Sequence, residues 1–384
     1  MKICVATGNR AEYGLLKPLV IKIQQEKNWT LQLLVTGAHL SPEFGLTYKQ
    51  IEEDEFVINE KVEMLLSSDT DEGIVKSMGL GMIGFADALK RLKPNLLVIL
   101  GDRFEMLALA SAAIIFKIPI AHIHGGEITE AAYDDSIRHA ITKLSHLHFT
   151  STEDYQKRVI QLGENPETVF NVGAIGLDNI FELQLLSKVE LEQKLKIHFL
   201  KYNYQITFHP VTLANEASEN QFRQLLNSIK KQQDSFFVFT KANADSDGRI
   251  INQMIDEFVS ENSNCASFSS LGTLIFLSLL KFCDAIVGNS SSGIIEAPSL
   301  GTPTINIGNR QKGRAKAKSV IDCGTSSEEI CKSFEIIKSR DYITLEDKFK
   351  NPYGKGNVAS KIIEAIKASD FENKIVKKFY NLNK

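Results

Sequence analysis

The feature that most constrains this chain is an alternation. Short apolar runs recur from the first residue, and each is followed by a polar loop and a longer helical segment. "KICVAT" leads into "GNRAEYG" and then "LLKPLVIKIQQ", and "TLQLLVTG", "FVINEKV", "NLLVILGD", "IPIAHIHGG", "LHFTST" and "TVFNVGA" repeat the strand signal. A second series follows: "YQITFHP", "SFFVFTKAN", "NCASFSS", "DAIVGNSSS", "TPTINIGNR" and "SVIDC". Strands that are apolar on both faces and separated by helices imply parallel sheets covered on both sides. Ligands on such sheets sit beyond the carboxyl ends of the strands, where the polar loops gather.

Two series in 384 residues, with 43% hydrophobic and 24% charged residues, imply two domains that each bury a core. The sequence places the first domain at residues 1–173 and the second at 174–365. A C-terminal amphipathic helix, at about residues 366–384, is expected to cross back to the first domain. The net charge of -3 gives no bulk attraction for nucleic acid, so an anionic ligand must be held by local groups. No leader-like segment and no apolar run of membrane-spanning length is read, and the expected setting is cytoplasmic, without a membrane partner. Five cysteines (Cys4, Cys265, Cys283, Cys323, Cys331) without a C-x-x-C pair suit reduced thiols, with no structural metal expected.

"GLGMIG", Gly79 to Gly84, matches a dinucleotide fingerprint letter for letter. It lies between "DEGIVKSM" and "FADALKRLK", inside a helical stretch, whereas a cofactor loop must follow a strand and open a helix. Close packing of a neighbouring helix explains it better, and no cofactor is expected.

Five loops carry chemistry. In "GNRAEYG", Gly8 permits a tight turn, the next helix starts with free amides, and Arg10 adds a planar fork suited to phosphate. The bland reading is an ordinary loop with a solvated arginine. In "GNSSSGIIEAPSLGTP", Ser290 and Ser291 with a helix N-terminus form an anion cradle, and Glu296 could accept a diol. Serine capping would account for one of the three serines. Asp102 and Arg103 end the strand "NLLVIL", where an aspartate can also be a simple cap. His209 ends the corresponding strand of the second series.

The fifth loop, "HIHGGEITEAAYDDSIRHAI", crowds His122, His124, Glu127, Glu130, Tyr133, Asp134, Asp135, Arg138 and His139 into residues 122–141. Helix-start acids paired one turn on explain Asp134, Asp135 and Arg138. They do not explain Glu127, which follows two glycines at a strand end. Phosphate and diol contacts together with several proton-exchanging groups suggest a nucleotide-sugar site where protons move and a leaving group departs.

The blocks "GNRAEYGLLKPL", "LGDRFEMLA", "HIHGGEITEAAYDDSIRHAITKLSHLHF", "VGAIGLD", "GNSSSGIIEAPSLGTPTINIGNRQKGR" and "NPYGKGNVASKII" resemble, in order, those of the hydrolysing UDP-N-acetylglucosamine 2-epimerase family. The resemblance spans nearly the whole chain. It implies an α/β fold of two Rossmann-like parallel-sheet domains facing a cleft, GT-B-like in form. It also implies a UDP-sugar substrate, a UDP product, no cofactor, no metal, and a homodimer or homotetramer. Members eliminate UDP to leave 2-acetamidoglucal and hydrate it to N-acetylmannosamine, feeding sialic acid synthesis. By position, the resemblance assigns catalysis to Asp102, Glu127, Asp134, Arg138 and His209. It assigns UDP and substrate binding to Arg10, Arg103, Ser290, Ser291, Glu296 and Arg310. The chain departs from the non-hydrolysing branch in two places, reading "GNRAE" for G-T-R-P-E and "HPVTLANE" for His-Arg-x-Glu-Asn, which favours the hydrolysing branch. UDP-N,N'-diacetylbacillosamine is the alternative substrate, and a GT-B UDP-sugar glycosyltransferase is the rival activity.

Overall fold

A computed structural model describes residues 1–384 except 67, 69, 130–132, 211–217, 242–247, 340, 342, 370–375 and 383–384. Its strands are β1 (Lys2–Thr7), β2 (Thr30–Thr36), β3 (Glu60–Val62), β4 (Leu96–Leu100), β5 (Ile120–Ile123), β6 (Leu147–Thr150) and β7 (Val169–Asn171), then β8 (Tyr202–Thr207), β9 (Ser235–Thr240), β10 (Cys265–Phe268), β11 (Ala285–Gly288), β12 (Thr304–Ile307) and β13 (Val320–Cys323). They form two sheets, ordered β3-β2-β1-β4-β5-β6-β7 and β10-β9-β8-β11-β12-β13, and every pairing is parallel. Each apolar run named in the sequence contains or overlaps one of these strands. β3 is the shortest reading of its run, because "FVIN" approaches the sheet as loop and only Glu60–Val62 pairs with β2.

The chain divides into two compact units. One comprises Met1–Glu127, Asp134–Asn179 and Gly356–Lys384, and the other Ile128–Tyr133 and Ile180–Lys355. The sequence-based junction near residue 173 therefore falls short of the observed one. The helix Gly176–Glu182 begins in the first unit, where Asn179 Nδ2 donates to Gly14 O at 2.9 Å. In the first unit Ile3, Val5, Leu96 and Val98 pack against Tyr13, Leu16, Leu19 and Val20 of the helix Arg10–Gln25. The opposite face holds Cys4, Leu97 and Ile99 against Phe85, Ala88 and Leu89 of the helix Asp71–Leu92. A sheet buried on both faces is what continuous apolar strands require.

The C-terminal helix differs from expectation. It runs Val358–Ala368 rather than over 366–384, and residues 376–382 are not helical. Val358, Ala359, Ile362, Ile363 and Ile366 join the core of the first unit. Asn357 makes no side-chain cap, and Asp178 supplies one instead, accepting from Val358 N at 2.8 Å and Ala359 N at 2.7 Å. A carboxylate on the leading amides of a helix satisfies them and complements the dipole. Further on, Tyr380 N donates to Gly163 O at 2.9 Å and Lys377 Nζ donates to Lys143 O at 2.7 Å. One main-chain and one side-chain contact thus tie the residues around 377–380 to the first unit.

The Gly79–Gly84 segment lies inside the helix Asp71–Leu92, as expected, but the neighbour that Gly84 admits is the strand β3 and not a helix. A Cβ on Gly84 would stand 2.6 Å from Val62 Cγ1, so the missing side chain is what lets β3 approach. Among the described residues no helix is long and apolar enough to cross a membrane.

Candidate functional site

In a doubly wound sheet the ligand crevice opens where successive strands depart in opposite directions. In the first unit that point lies between β1 and β4, and in the second between β8 and β11. The loops leaving these four strands carry Gly8–Arg10, Asp102–Arg103, His209 and Asn289–Ser291. Sheet topology thus selects four of the loops that residue chemistry had singled out.

At the end of β1, Asn9 caps the helix Arg10–Gln25, its Oδ1 accepting from Glu12 N at 3.0 Å. The Gly8 amide is not free for an anion, because it donates to Glu12 Oε2 at 2.7 Å. Arg10 is half-buried at the first helical position. Across the switch point, Arg103 Nε lies 3.5 Å from Glu105 Oε1, and its guanidinium packs over the Phe104 ring.

The crowded stretch of ionisable groups after β5 is held together by Arg138. This side chain is buried on the helix Asp134–Leu144 and is salt-bridged to Asp102 Oδ2. Its Nη1 donates to Glu127 O at 2.9 Å and lies 3.6 Å from Asp135 Oδ1. Asp102, Glu127 and Arg138 are therefore brought together, although local sequence paired Arg138 only within its own helix. Asp134, half-buried, is the first residue of that helix, and the Asp135–His139 pair is present at 3.5 Å.

Glu127 is 2% exposed and accepts from Ser151 Oγ at 2.7 Å. His124 Nδ1 lies 3.4 Å from the same oxygen, and His124 Nε2 accepts from Ile175 N at 3.2 Å. A neutral ring that accepts at Nε2 carries its proton on Nδ1, so His124 points an N–H at Glu127. His124 sits at φ 66 and Gly126 at φ 79. At Gly126 a Cβ would meet Tyr155 O at 2.5 Å, which explains the glycine. His122 is structural. It is fully buried, and burial pushes its pKa down to about 3 against the opposing pull of the Gly101 carbonyl. Its Nε2 bonds that carbonyl at 2.7 Å. Glu130 lies outside the described residues, as does most of the segment after His209.

In the second unit Gly288 adopts φ 137, and a Cβ there would collide with Thr207 O of the adjacent strand. The next residue, Asn289, clamps His209. Its Oδ1 accepts from His209 N at 2.7 Å, and its Nδ2 donates to His209 O at 2.8 Å. Arg310 Nη1 and Gln311 Nε2 donate to Asn289 O at 3.1 and 2.8 Å, so one buried asparagine ties His209 to Arg310. Ser290 is a cap, accepting from Ser292 N at 3.3 Å at the start of the short helix Ser291–Ile295. The bland reading thus covers Ser290 but not Ser291. Glu296 follows at the junction with the next helical turn and is 8% exposed. Arg314 donates to Ile128 O at 3.2 Å and Thr129 Oγ1 at 3.4 Å within this unit.

Sequence reasoning missed His124, Ser151, Glu12, Glu105 and Asn289. Asn289 stood beside the serine run and could have been found there, because a strand-end asparagine can bond both ways to a neighbouring backbone. Ser151 had no signal, since its partner is 24 residues away in sequence. The five cysteines are free, and burial pushes the Cys4 thiol up to about 12, so it is inert at neutral pH.

Two doubly wound parallel sheets, each with polar and ionisable groups gathered at its switch point, define an α/β protein built like the nucleotide-sugar enzymes of GT-B form. The family model described as UDP-N-acetylglucosamine 2-epimerase matches residues 21–367. The chain belongs to this family of UDP-sugar 2-epimerases and is an enzyme of that type. It is 45% identical over 342 residues to the GDP/UDP-N,N'-diacetylbacillosamine 2-epimerase (hydrolyzing) of Campylobacter jejuni, covering 89% of this chain and 88% of that one. It is 39% identical to the polysialic acid biosynthesis protein P7 of Escherichia coli, covering 99% and 97%. The solved structure of UDP-GlcNAc 2-epimerase from Neisseria meningitidis bound to UDP-GlcNAc superposes with a TM-score of 0.80 at 22% identity, covering 96% and 100%, which establishes the shared fold.

Proposed function

We propose that this enzyme is a hydrolysing 2-epimerase that acts on UDP-N-acetylglucosamine. It eliminates UDP to give 2-acetamidoglucal and hydrates that intermediate to N-acetylmannosamine, feeding nonulosonic (sialic) acid synthesis. The observation that carries the reading is the buried Arg138, joined to the Asp102 carboxylate and to the Glu127 carbonyl. It holds the Asp102 carboxylate and the Glu127 backbone where strands end, with Asp134 on the same helix.

A sugar C2–H is scarcely acidic, so its removal must accompany departure of the pyrophosphate, and positive charge then gathers at C1. Inverting C2 needs proton removal on one face and delivery on the other, which requires at least two acid/base groups. Asp102, Glu127, Asp134 and His209 are assigned that work. Arg10, Arg103, Ser290, Ser291, Glu296 and Arg310 are assigned to UDP and substrate binding.

A second substrate, UDP-N,N'-diacetylbacillosamine, is favoured by the name of the Campylobacter relative, while the name of the Escherichia relative favours the first. Incubation with each UDP-sugar alone in deuterated water, followed by NMR, tests the reading. UDP with a C2-deuterated free 2-epimer is the expected result. A UDP-sugar epimer mixture would mean the non-hydrolysing reaction, and turnover only with an added acceptor would mean a glycosyltransferase.

A homo-oligomer is part of the proposal. Val75 and Ile83, 68% and 69% exposed, and Ile115, 77% exposed, lie on the packed helices Asp71–Leu92 and Phe104–Ile115. A second copy would cover such apolar side chains. Light scattering at micromolar concentration measures the state directly.

A further inference from the structure

Two carboxylates that the proposed chemistry leaves unused converge on Gly8. The loop they support is the one assigned above to UDP, and the inference rests on that reading. Glu12 Oε2 accepts from Gly8 N at 2.7 Å. From the other side Glu105 comes so near that a Cβ on Gly8 would stand 2.8 Å from its Oε1. Glu12 is 8% and Glu105 2% exposed. Glu12 Oε1 and Glu105 Oε2 are both buried without a hydrogen-bond partner.

The charge that offsets the pair comes from Arg103, one cation for two carboxylates. Arg103 reaches Glu105 Oε1 at 3.5 Å, and Arg10 stands on the same helix as Glu12. Asp102, beside Arg103, is engaged by Arg138. His39, beyond β2, bonds Thr7 Oγ1 at 3.0 Å and Thr47 Oγ1 at 2.8 Å. Burial pushes the His39 pKa down to about 4, so it brings no charge near neutrality. Two buried carboxylates beside one another cannot both ionise cheaply, and one proton between them removes most of the cost.

We propose that Glu12 and Glu105 hold one proton between them at neutral pH, and that this proton keeps the Gly8–Arg10 loop receptive to a nucleoside diphosphate. Both are positioning residues, acting through the Gly8 amide and the charge beneath it. Burial, reinforced by the Glu105 charge, pushes the Glu12 carboxyl up to about 8 against the pull of the Gly8 and Asn9 amides. Below that pH the pair carries a single negative charge. Above it the pair carries two, directly under the loop, and an incoming diphosphate is repelled.

Calorimetric titration with UDP between about pH 7 and about pH 9 tests this, because linkage allows affinity to fall by up to about tenfold per pH unit once the required proton is lost. In the wild type the UDP Kd is expected to rise above about pH 8. Glu12→Gln removes the titrating carboxyl, so its affinity should stay flat over the same range, whereas Glu105→Gln removes only the neighbouring charge and leaves Glu12 buried, so its rise should move to lower pH. A merely structural role would shift Kd by a constant factor and leave the slope in place.

A wild-type Kd that does not change, or single variants that keep the wild-type rise, would overturn the proposal. Infrared spectroscopy of the wild type supplies a readout that needs no variant to fold. A protonated-carboxyl C=O band lost on raising the pH through about 8 is expected, and its absence at neutral pH would overturn the proposal. Failure of UDP to bind at any pH would instead overturn the assignment of the loop, and the proposal with it.

Discussion

Arg138 and Asp102 stand 36 residues apart in the chain and are joined in a salt bridge in which the arginine side chain is 3% and the aspartate side chain 23% exposed. The arginine also binds the Glu127 carbonyl, so one guanidinium sets the relation between the ends of β4 and β5. Its planar fork makes both contacts at once, which a lysine cannot do.

Replacement of Arg138 by alanine leaves a partly buried Asp102 without its cation. Breaking a fully buried pair costs about 3–5 kcal/mol, and the partial exposure of Asp102 reduces this to about 2 kcal/mol. Turnover, measured as UDP release, should fall by about a hundredfold or more if the pair orients an acid/base group. Arg138→Lys should recover much of the thermal stability and little of the turnover. Full turnover in the lysine variant would remove the orienting role.

Asn289 acts on His209 through its backbone. Asn289→Ala removes both hydrogen bonds to that residue, and with the amide buried it should cost about 1–3 kcal/mol. The resulting freedom at His209 should appear in kcat more than in KM. Asn289→Asp keeps the acceptor for His209 N and loses the donor to His209 O, so it should fall between. Equal kcat in all three proteins would show that His209 does not depend on this clamp.

Strand number, the parallel sheets and the switch-point loops were legible because each depends on a local pattern, an apolar run followed by polar punctuation. The partners of Arg138 were not. Helical spacing pointed to residues one turn away, while Asp102 reaches it from another strand end. The C-terminal helix was misplaced for a related reason. Its amphipathic pattern continues past Ala368, but the contacts of Lys377 and Tyr380 with Lys143 and Gly163 override it, and no local sequence records them. Glu12 was read as part of a loop, and only the fold put Glu105 beside it.

Those tail contacts include a buried ion cluster with a defined pH response. Glu164, 2% exposed, meets Lys143 at 2.5 Å, Lys377 at 2.7 Å and His148 at 2.9 Å. Burial alone would raise its carboxyl, but hydrogen bonds from His148, Lys143 and Lys377 outweigh burial and bring it to about 2. An unfolded glutamate titrates at about 4.3, so the depressed group contributes its full stabilisation above that pH. The contribution is lost as pH falls from there through about 2. Glu164→Gln should therefore be less stable than wild type at neutral pH, with the gap closing across that acid window. Denaturant melts at several pH values measure it, and a gap independent of pH would contradict the cluster's ionisation.

Gly79 and Gly84 share the helix Asp71–Leu92 and should respond oppositely to the same substitution. A Cβ on Gly79 meets nothing within 4 Å, and the site is exposed. Alanine there relieves the entropic cost of a mid-helix glycine, so Gly79→Ala should stabilise by about 0.5–1 kcal/mol. At Gly84 the same methyl would lie 2.6 Å from Val62 Cγ1 and push β3 away, outweighing any helical gain. Overpacking of that kind costs about 1–3 kcal/mol, so Gly84→Ala should be destabilising overall. Thermal melts of the two single variants decide the matter. If both glycines tolerated alanine equally, the segment would not be serving close packing, and another reason for its glycines would be needed.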